Sequence, residues 1–202
     1  MEIHTLTELR EVLNYERKRW KIPQIKGFFG WVKADMMMLF LHPGSPYQMM
    51  YCIRCMEYFG SRRALLGGGK CLIYKLLQYR HKLLMFRTQM DLYPGVADIG
   101  LTVNHGKCIV SKSAKIGRDC VIVGDVTIGG TGGTRDNGAA TIGNRVFIST
   151  GARIIGDIKI ADNVVIGANA VVVKDVTESG ITIGGVPAKK ISDKGSEQYI
   201  RI

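Results

Sequence analysis

The sequence lacks any long hydrophobic run. Its longest apolar stretch, Met36 to Leu41, is far shorter than the roughly 20 residues that cross a bilayer. It also lacks the basic start and apolar stretch of a secretory signal peptide, so we expect a cytoplasmic protein. Disorder as the main state is excluded, because 46% of the residues are hydrophobic and only 22% are charged.

Cysteine is scarce and odd in number: Cys52, Cys55, Cys71, Cys108 and Cys120. An odd count without a signal peptide favours free thiols in a reducing compartment. Cys52 and Cys55 have the spacing of a zinc or redox pair, but no second pair and no nearby histidine completes a four-ligand set. We therefore expect buried thiols and no metal.

Composition changes near Met90. Residues 1–90 carry 15 Lys+Arg against 6 Asp+Glu and 13 of the 16 aromatic residues, whereas residues 91–202 carry 18 of the 25 glycines. We therefore predict an α-helical region over 1–90, a second domain over 91–191 and a C-terminal tail over 192–202. The basic excess is typical of a solvated helical surface, and it also suits a membrane surface, an anionic substrate or nucleic acid.

The N-terminal region has helical patterns. Thr5 and Glu8 have the spacing of a capping box, which predicts a helix from Leu6 to Trp20. Further helices are predicted over 28–41, 47–63 and 70–90. The last of these has an apolar stripe at helical spacing with basic residues outside it: Leu72, Leu76, Leu83 and Phe86, with Lys75, Lys82 and Arg87.

The second domain carries a six-residue repeat of aliphatic residues: Val110, Ile116, Ile122, Ile128, Ile142, Ile148, Ile154, Ile160, Ile166 and Val172. Small or β-branched residues follow seven of these at the fourth position: Cys120, Val126, Val146, Ala152, Val164, Ala170 and Val176. This period suits neither an α-helix nor a flat strand. It predicts a parallel β-helix in which the aliphatic side chains point inward, with the Gly-rich stretch 129–138 as a loop.

Several motifs lie on this repeat: Asp91-Leu-Tyr-Pro94, Asn104-His105-Gly106, Ala114-Lys-Ile-Gly117, Val126-Thr-Ile-Gly-Gly-Thr-Gly132, Thr150-Gly-Ala-Arg-Ile-Ile-Gly156, Ile166-Gly-Ala168 and Gly185-Val-Pro-Ala-Lys189. Together they resemble the hexapeptide-repeat acyltransferases, above all the serine acetyltransferases and their relatives in polysaccharide gene clusters. The resemblance implies a mainly β fold, a left-handed parallel β-helix preceded by an α-helical region. It also implies an acetyl-CoA-dependent O-acetyltransferase that needs no metal and forms a homotrimer or a hexamer.

Acetyl transfer to a hydroxyl needs a base, and histidine is the best base near neutral pH. The chain has four candidates: His4, His42, His81 and His105. Only His105 lies in the repeat domain, at the position of the family's catalytic histidine, whereas His81 is expected on a helix surface. The resemblance assigns Asp91 as the carboxylate that orients His105, with Asp98 as the alternative.

The resemblance places acetyl-CoA between two subunits. It assigns the contact with the oxyanion to Gly129 and Gly130. It assigns the contact with the pantetheine arm to Ala152 and Ala168, and the contact with the CoA phosphates to Lys189 and Lys190. The lysine pair is equally typical of a solvated C-terminal segment.

The acceptor site departs from that of serine acetyltransferases. Asn104 stands where they carry an aspartate, and residues 135–141 lack their loop histidine, although Arg135 could replace its contact with a carboxylate. Each lost charged anchor removes about 1.5–3 kcal/mol of binding. We therefore expect a sugar or saccharide intermediate as the acceptor, with L-serine as the alternative and a non-catalytic trimeric scaffold as a further one.

A basic and aromatic cluster near the first helix suggests a peripheral membrane contact: Arg17-Lys-Arg19, Trp20, Phe28, Phe29 and Trp31. Nucleic acid is not expected as a partner, because the sequence has no recognisable nucleic-acid-binding module.

Overall fold

The computed structural model describes residues 3–22, 45–61, 68–132 and 138–200, without the side chains of residues 68–71. Several predicted features lie outside these residues: the helix over 28–41 with Phe28, Phe29 and Trp31, and also His42 and Arg135. The chain falls into two compact units, Met1–Met90 and Asp91–Ile202.

The described part of the first unit contains α1 (Leu6–Arg19), α2 (Pro46–Ser61) and α3 (Gly68–Thr88). The capping box is confirmed, because the Thr5 hydroxyl accepts a hydrogen bond from the Glu8 N–H and the Glu8 carboxylate accepts one from the Thr5 N–H. The predicted bounds of these three helices agree with the structure to within two residues. Within the described residues, no helix is long and apolar enough to span a membrane.

A buried ion cluster joins α1 to α2. Arg54 is fully buried, and its Nε donates to Glu16 Oε1 at 2.8 Å while its Nη1 donates to Glu57 Oε2 at 2.9 Å. Arg17 is also fully buried and donates to the Tyr47 hydroxyl at 3.2 Å. The prediction of an exposed basic cluster at the end of α1 is therefore wrong for Arg17, because this guanidinium finds its partner inside the core.

Helix α3 is apolar on two faces, and only one of them is buried. Leu77 and Leu84 are buried, and His81, one turn after Leu77, is buried with them. The prediction that His81 lies on the surface is therefore wrong, because this face is the one that packs inward. The predicted apolar stripe points outward instead, with exposed side chains at Leu72, Leu76, Tyr79 and Phe86.

The described cysteine side chains are buried free thiols, as predicted: Cys52, Cys55, Cys108 and Cys120. Cys52 lies in α2 and contacts the Leu77 carbonyl oxygen at 3.6 Å. Burial raises the pKa of Cys52 to about 12, so the thiol stays protonated and chemically inert near neutral pH.

The second unit is a parallel β-helix of three sheets. The first sheet contains β1 (Met90–Asp91), β3 (Cys108–Val110), β6 (Val126–Gly129), β9 (Arg153–Ile155) and β12 (Val171–Val172). The second contains β4 (Lys115–Ile116), β7 (Thr141–Ile142) and β10 (Lys159–Ile160). The third contains β2 (Thr102–Val103), β5 (Val121–Ile122), β8 (Phe147–Ile148), β11 (Val165–Ile166), β13 (Thr182–Gly184) and the antiparallel β14 (Lys189–Ser192).

The register explains the repeat. Cys108 pairs with Val126, one coil of 18 residues further on, whereas Thr127 pairs with Arg153, 26 residues further on. The Gly-rich loop thus adds length without shifting the register. Every predicted aliphatic core residue is at most 3% exposed, which confirms the inward assignment. Of the predicted small positions only Val176 is not buried, because it lies near the C-terminal end of the coil.

The C-terminal segment folds back onto the third sheet. A short 3₁₀ helix, Ser196–Gln198, is followed by Tyr199, whose ring stacks on Phe147 at a centroid distance of 4.6 Å. Ile200 is buried, and its carbonyl oxygen accepts a hydrogen bond from Arg145 Nη2 at 3.5 Å. The segment therefore covers part of the sheet's outer face.

Candidate active site

His105 lies at the corner between β2 and β3, where the chain turns from the third sheet into the first. Its backbone is left-handed, with φ at 65°, and Lys107 follows with φ at 48°. The Asn104 N–H donates to the Ile122 carbonyl at 2.8 Å, and the Asp125 N–H donates to the Lys107 carbonyl at 2.6 Å. These bonds tie the corner to the next coil, so an exposed imidazole is presented from a well-held backbone.

Gly124 lies under this corner, a feature that the sequence analysis missed. Its φ is 119°, and a Cβ there would come within 3.1 Å of both the Asn104 and the Gly106 carbonyl oxygens. It would also come within 3.6 Å of the His105 Cβ. Only glycine combines this conformation with so close an approach. The repeat itself carries no signal for it, because Ile122 and Ile128 keep the six-residue spacing on either side of Gly124.

Asp91, the predicted orienting carboxylate, lies on β1 beside β3 in the first sheet. The Tyr93 hydroxyl donates a hydrogen bond to this carboxylate, which together with burial raises the pKa of Tyr93 to about 12. Asp91 Oδ1 is buried and has no hydrogen-bond partner among the described residues, His105 included. The carboxylate therefore keeps one buried acceptor atom on the strand beside β3, and β3 is the strand that follows the His105 corner.

Asp98, the alternative orienting carboxylate, is engaged in its own turn. Its Oδ1 accepts a hydrogen bond from the Ile99 N–H at 2.7 Å. Its own N–H donates to the Ile116 carbonyl at 2.9 Å, which ties it to the second sheet. This position favours Asp91 as the partner of His105.

The predicted oxyanion residues lie across the first sheet from His105. Gly129 ends β6 beside Ile155, and a Cβ on Gly129 would meet nothing within 4 Å. Gly130 follows it and is half-exposed, so a ligand can approach this backbone. At about 3.3 Å per residue, the strand puts more than about 10 Å between this edge and His105. His105 and Gly129 of one chain therefore cannot meet at one reacting carbon atom.

The two predicted pantetheine contacts differ in accessibility. Ala152 is fully buried, its N–H donates to Ser149 at 3.4 Å and its carbonyl accepts from Thr127 at 3.0 Å. Ala168 is exposed at the corner between β11 and β12, along the same edge of the coil as His105. Ala168 is thus the more accessible main-chain contact for an extended ligand.

The two predicted phosphate contacts also differ. Lys190 Nζ lies 2.6 Å from both Glu178 Oε1 and Asp193 Oδ1. The hydrogen bond to Asp193 and then the one to Glu178 are the largest causes of a raised pKa at Lys190, and the two carboxylates offset its charge. Lys189 is exposed and makes no such ion pair with the described residues. Lys189 is therefore the better candidate for a phosphate contact.

The predicted acceptor contacts are Asn104 and Arg135. Asn104 is exposed directly beside His105, so its amide can reach a molecule held at the imidazole. Arg135 lies outside the described residues. At the end of the same loop, Ala139 and Ala140 are buried and have no polar side chain.

Comparison with known proteins places this geometry in a family. The model of bacterial transferase hexapeptides (six repeats) matches residues 139–174. Serine acetyltransferase from Helicobacter pylori J99 is 34% identical over 156 residues, which cover 76% of this chain and 84% of that protein. The enzyme of the same name from Synechococcus elongatus is 32% identical over 159 residues, covering 78% of this chain and 60% of that one.

A solved structure extends the similarity to the fold. Serine acetyltransferase from Brucella abortus S19, in complex with coenzyme A, superposes with a TM-score of 0.66 at 25% identity. The superposition covers 94% of this chain and 70% of that chain. The predicted left-handed β-helix with preceding helices is confirmed. The chain is an acyltransferase, and nothing supports the alternative of a non-catalytic scaffold. The chain thus belongs to the serine acetyltransferase family of hexapeptide-repeat acyltransferases.

Proposed function

We propose that the chain transfers acetyl from acetyl-CoA to the hydroxyl of L-serine. The observation that carries this proposal is its 34% identity to a serine acetyltransferase over 84% of that enzyme's length. The coenzyme A complex of the Brucella abortus relative supports acetyl-CoA as the co-substrate. L-serine was the alternative acceptor in the sequence analysis, and the comparisons support it better than the sugar that we expected first.

In the proposed mechanism His105 accepts the proton of the serine hydroxyl while the oxygen attacks the thioester carbonyl carbon. The amide at Gly129 or Gly130 stabilises the oxyanion of the tetrahedral intermediate. Collapse of the intermediate breaks the C–S bond, and His105 returns the proton to the departing CoA sulfur. In this mechanism Asp91 Oδ1, which is buried and has no hydrogen-bond partner among the described residues, is the acceptor for the second ring nitrogen of His105.

A second copy of the chain completes this site. His105 and Gly129 lie at opposite edges of the first sheet, too far apart to act on one carbon atom. A homotrimer joins the His105 edge of one copy to the Gly129 edge of its neighbour, and acetyl-CoA lies in the groove between them. Ala168 and Lys189 are the proposed contacts for the pantetheine arm and a phosphate of CoA.

The proposal is tested by measuring CoA thiol release from acetyl-CoA with L-serine, and separately with a panel of sugars and nucleotide sugars. We expect release with L-serine and formation of O-acetylserine, identified by mass. Release with a sugar alone would contradict the serine proposal and support the saccharide acceptor, which Asn104 beside His105 favours.

Asn104→Asp sharpens this test, because an aspartate there restores an anchor for the serine ammonium group. A charge-assisted hydrogen bond is worth about 1.5–3 kcal/mol, so kcat/KM for L-serine should rise by about ten- to hundredfold. Asn163→Asp, at a corner of the coil away from His105, is the control and should leave kcat/KM unchanged.

Removing the Tyr93 hydroxyl is expected to shift the acidic limb of the pH–rate profile. Its hydroxyl donates to Asp91, and removing that donor in Tyr93→Phe concentrates the negative charge of the carboxylate on the oxygen that meets His105. The acidic limb of kcat/KM should then move to higher pH. Tyr199→Phe removes an exposed hydroxyl of the same unit and is the control. A uniform loss of rate at every pH would show that Tyr93 is merely structural.

A further inference from the structure

Helix α3 exposes an apolar stripe along its whole length. Leu72, Leu76, Tyr79, Leu83 and Phe86 follow one another at alternating spacings of four and three residues. The side chain of Phe86 is 86% exposed, that of Tyr79 is 64% exposed and that of Leu72 is 60% exposed. The opposite face of α3 is the one that packs inward. Folding of the described residues therefore leaves four of the five side chains of the stripe exposed and Leu83 half-buried.

Within α3 itself, the stripe is flanked by positive charge only. Lys75 and Lys82 lie on one side of it, and Arg87 lies on the other. All three are exposed, and the 21 residues of α3 contain no aspartate or glutamate. Any molecule that covers the stripe therefore meets cations along both edges.

This pattern disfavours a second α3 helix as the occupant. Alternating spacings of four and three are typical of a coiled-coil seam, in which the flanking residues select the partner. Two copies of α3 paired along the stripe would bring Lys75, Lys82 and Arg87 against the same cations of the other helix, which is destabilising. The stripe requires an apolar surface bordered by negative charge.

An anionic lipid surface has both properties. Its headgroups attract lysine and arginine, while the acyl boundary accepts the apolar side of a helix that lies in the plane of the membrane. Tyr79 is suited to the level of the headgroups because its ring is apolar and its hydroxyl polar.

We propose that α3 docks the protein on an anionic membrane surface, with the stripe in the acyl boundary and Lys75, Lys82 and Arg87 at the headgroups. The helix lies on the membrane and does not cross it. This surface is distinct from the Arg17-Lys-Arg19 cluster, whose Arg17 is buried. The proposal does not depend on the identity of the acetyl acceptor.

The test is sedimentation of the full chain with vesicles at physiological salt. The vesicles contain phosphatidylcholine alone, or phosphatidylcholine with about one third phosphatidylglycerol. We expect binding to the anionic vesicles only. The double variant Leu76→Ser with Phe86→Ser should lower the partition coefficient more than about tenfold. The triple variant Lys75→Gln, Lys82→Gln and Arg87→Gln should lower it about a hundredfold.

Matched controls distinguish binding through the stripe from binding through net charge or surface hydrophobicity in general. Leu6→Ser removes an exposed leucine from α1, and the triple variant Lys115→Gln, Lys159→Gln and Lys174→Gln removes the same charge from the β-helix. Both should bind like the parent, with unchanged far-UV circular dichroism. An equal loss in the control triple would overturn the proposal in favour of net charge alone. The proposal would also be overturned if the folded parent protein did not bind anionic vesicles. That result would point to an acidic helix of another protein as the molecule that covers the stripe.

Discussion

Replacing His105 by alanine is expected to lower kcat by about 10²- to 10⁴-fold, the usual contribution of a positioned general base. The imidazole stands on a corner held by the bonds of Asn104 to Ile122 and of Asp125 to Lys107. Because those bonds are made by the backbone, the variant keeps the corner and loses only the base. The KM for acetyl-CoA should change little, since the co-substrate is held elsewhere along the groove.

The control for this change is His4→Ala, which removes an exposed histidine from the first unit. Its kcat should equal that of the parent. Near-parental turnover of His105→Ala, with the same acceptor and the same folded signal, would show that another group accepts the hydroxyl proton. A partial return of rate in His105→Ala on addition of free imidazole would support the assignment.

Replacing Arg54 by methionine is expected to lower the free energy of unfolding by about 3–5 kcal/mol. The guanidinium is fully buried between Glu16 and Glu57, at 2.8 Å and 2.9 Å from their carboxylate oxygens. Removing it leaves two carboxylates in a dry interior without their shared cation, which costs far more than a lost surface ion pair. Urea unfolding followed by far-UV circular dichroism measures the change.

Two further variants show whether the loss comes from the unpaired carboxylates. Arg54→Met combined with Glu16→Gln and Glu57→Gln removes the stranded charges, so it should recover a large part of the lost stability. Arg10→Met removes an exposed arginine from α1 and should stay within about 0.5 kcal/mol of the parent. A loss below about 1 kcal/mol in Arg54→Met would contradict a central role for this cluster.

The β-helix could be predicted because its rule is local and repeated. Ile122, Ile148 and Ile166 occupy the same position in successive coils, and each is fully buried. A six-residue period leaves few alternatives, so the sequence alone indicates which side chains point inward. His105 became the proposed base because it is the only histidine in the sequence of the repeat domain and stands at the position of the family's catalytic histidine.

The helical unit could be predicted only in outline. Helix α3 is apolar on two faces, and periodicity does not tell which face is buried, so Leu77 rather than Leu76 packs inward. Arg17 has the sequence context of a surface residue, yet it lies inside the core against Tyr47, 30 positions further along the chain. No local pattern reveals pairs so distant in sequence.

The candidate site could likewise be predicted only in part. The positions of His105, Asn104 and Asp91 follow from short motifs, but Gly124 lies in none of them. Tyr93 stands in the Asp91-Leu-Tyr-Pro94 motif, which does not indicate what its hydroxyl contacts. Their roles became visible only from the close approach under the His105 corner and the hydrogen bond to Asp91.

The most direct test of the account follows labelled acetyl from acetyl-CoA in the presence of the protein and L-serine. After the reaction, protein and small molecules are separated and the label in each fraction is identified by mass spectrometry. Direct attack by serine with His105 as base predicts label in O-acetylserine and none on the protein. Label covalently bound to the protein would contradict direct attack. Turnover that leaves serine unlabelled while another hydroxyl compound takes the acetyl group would contradict the proposed acceptor.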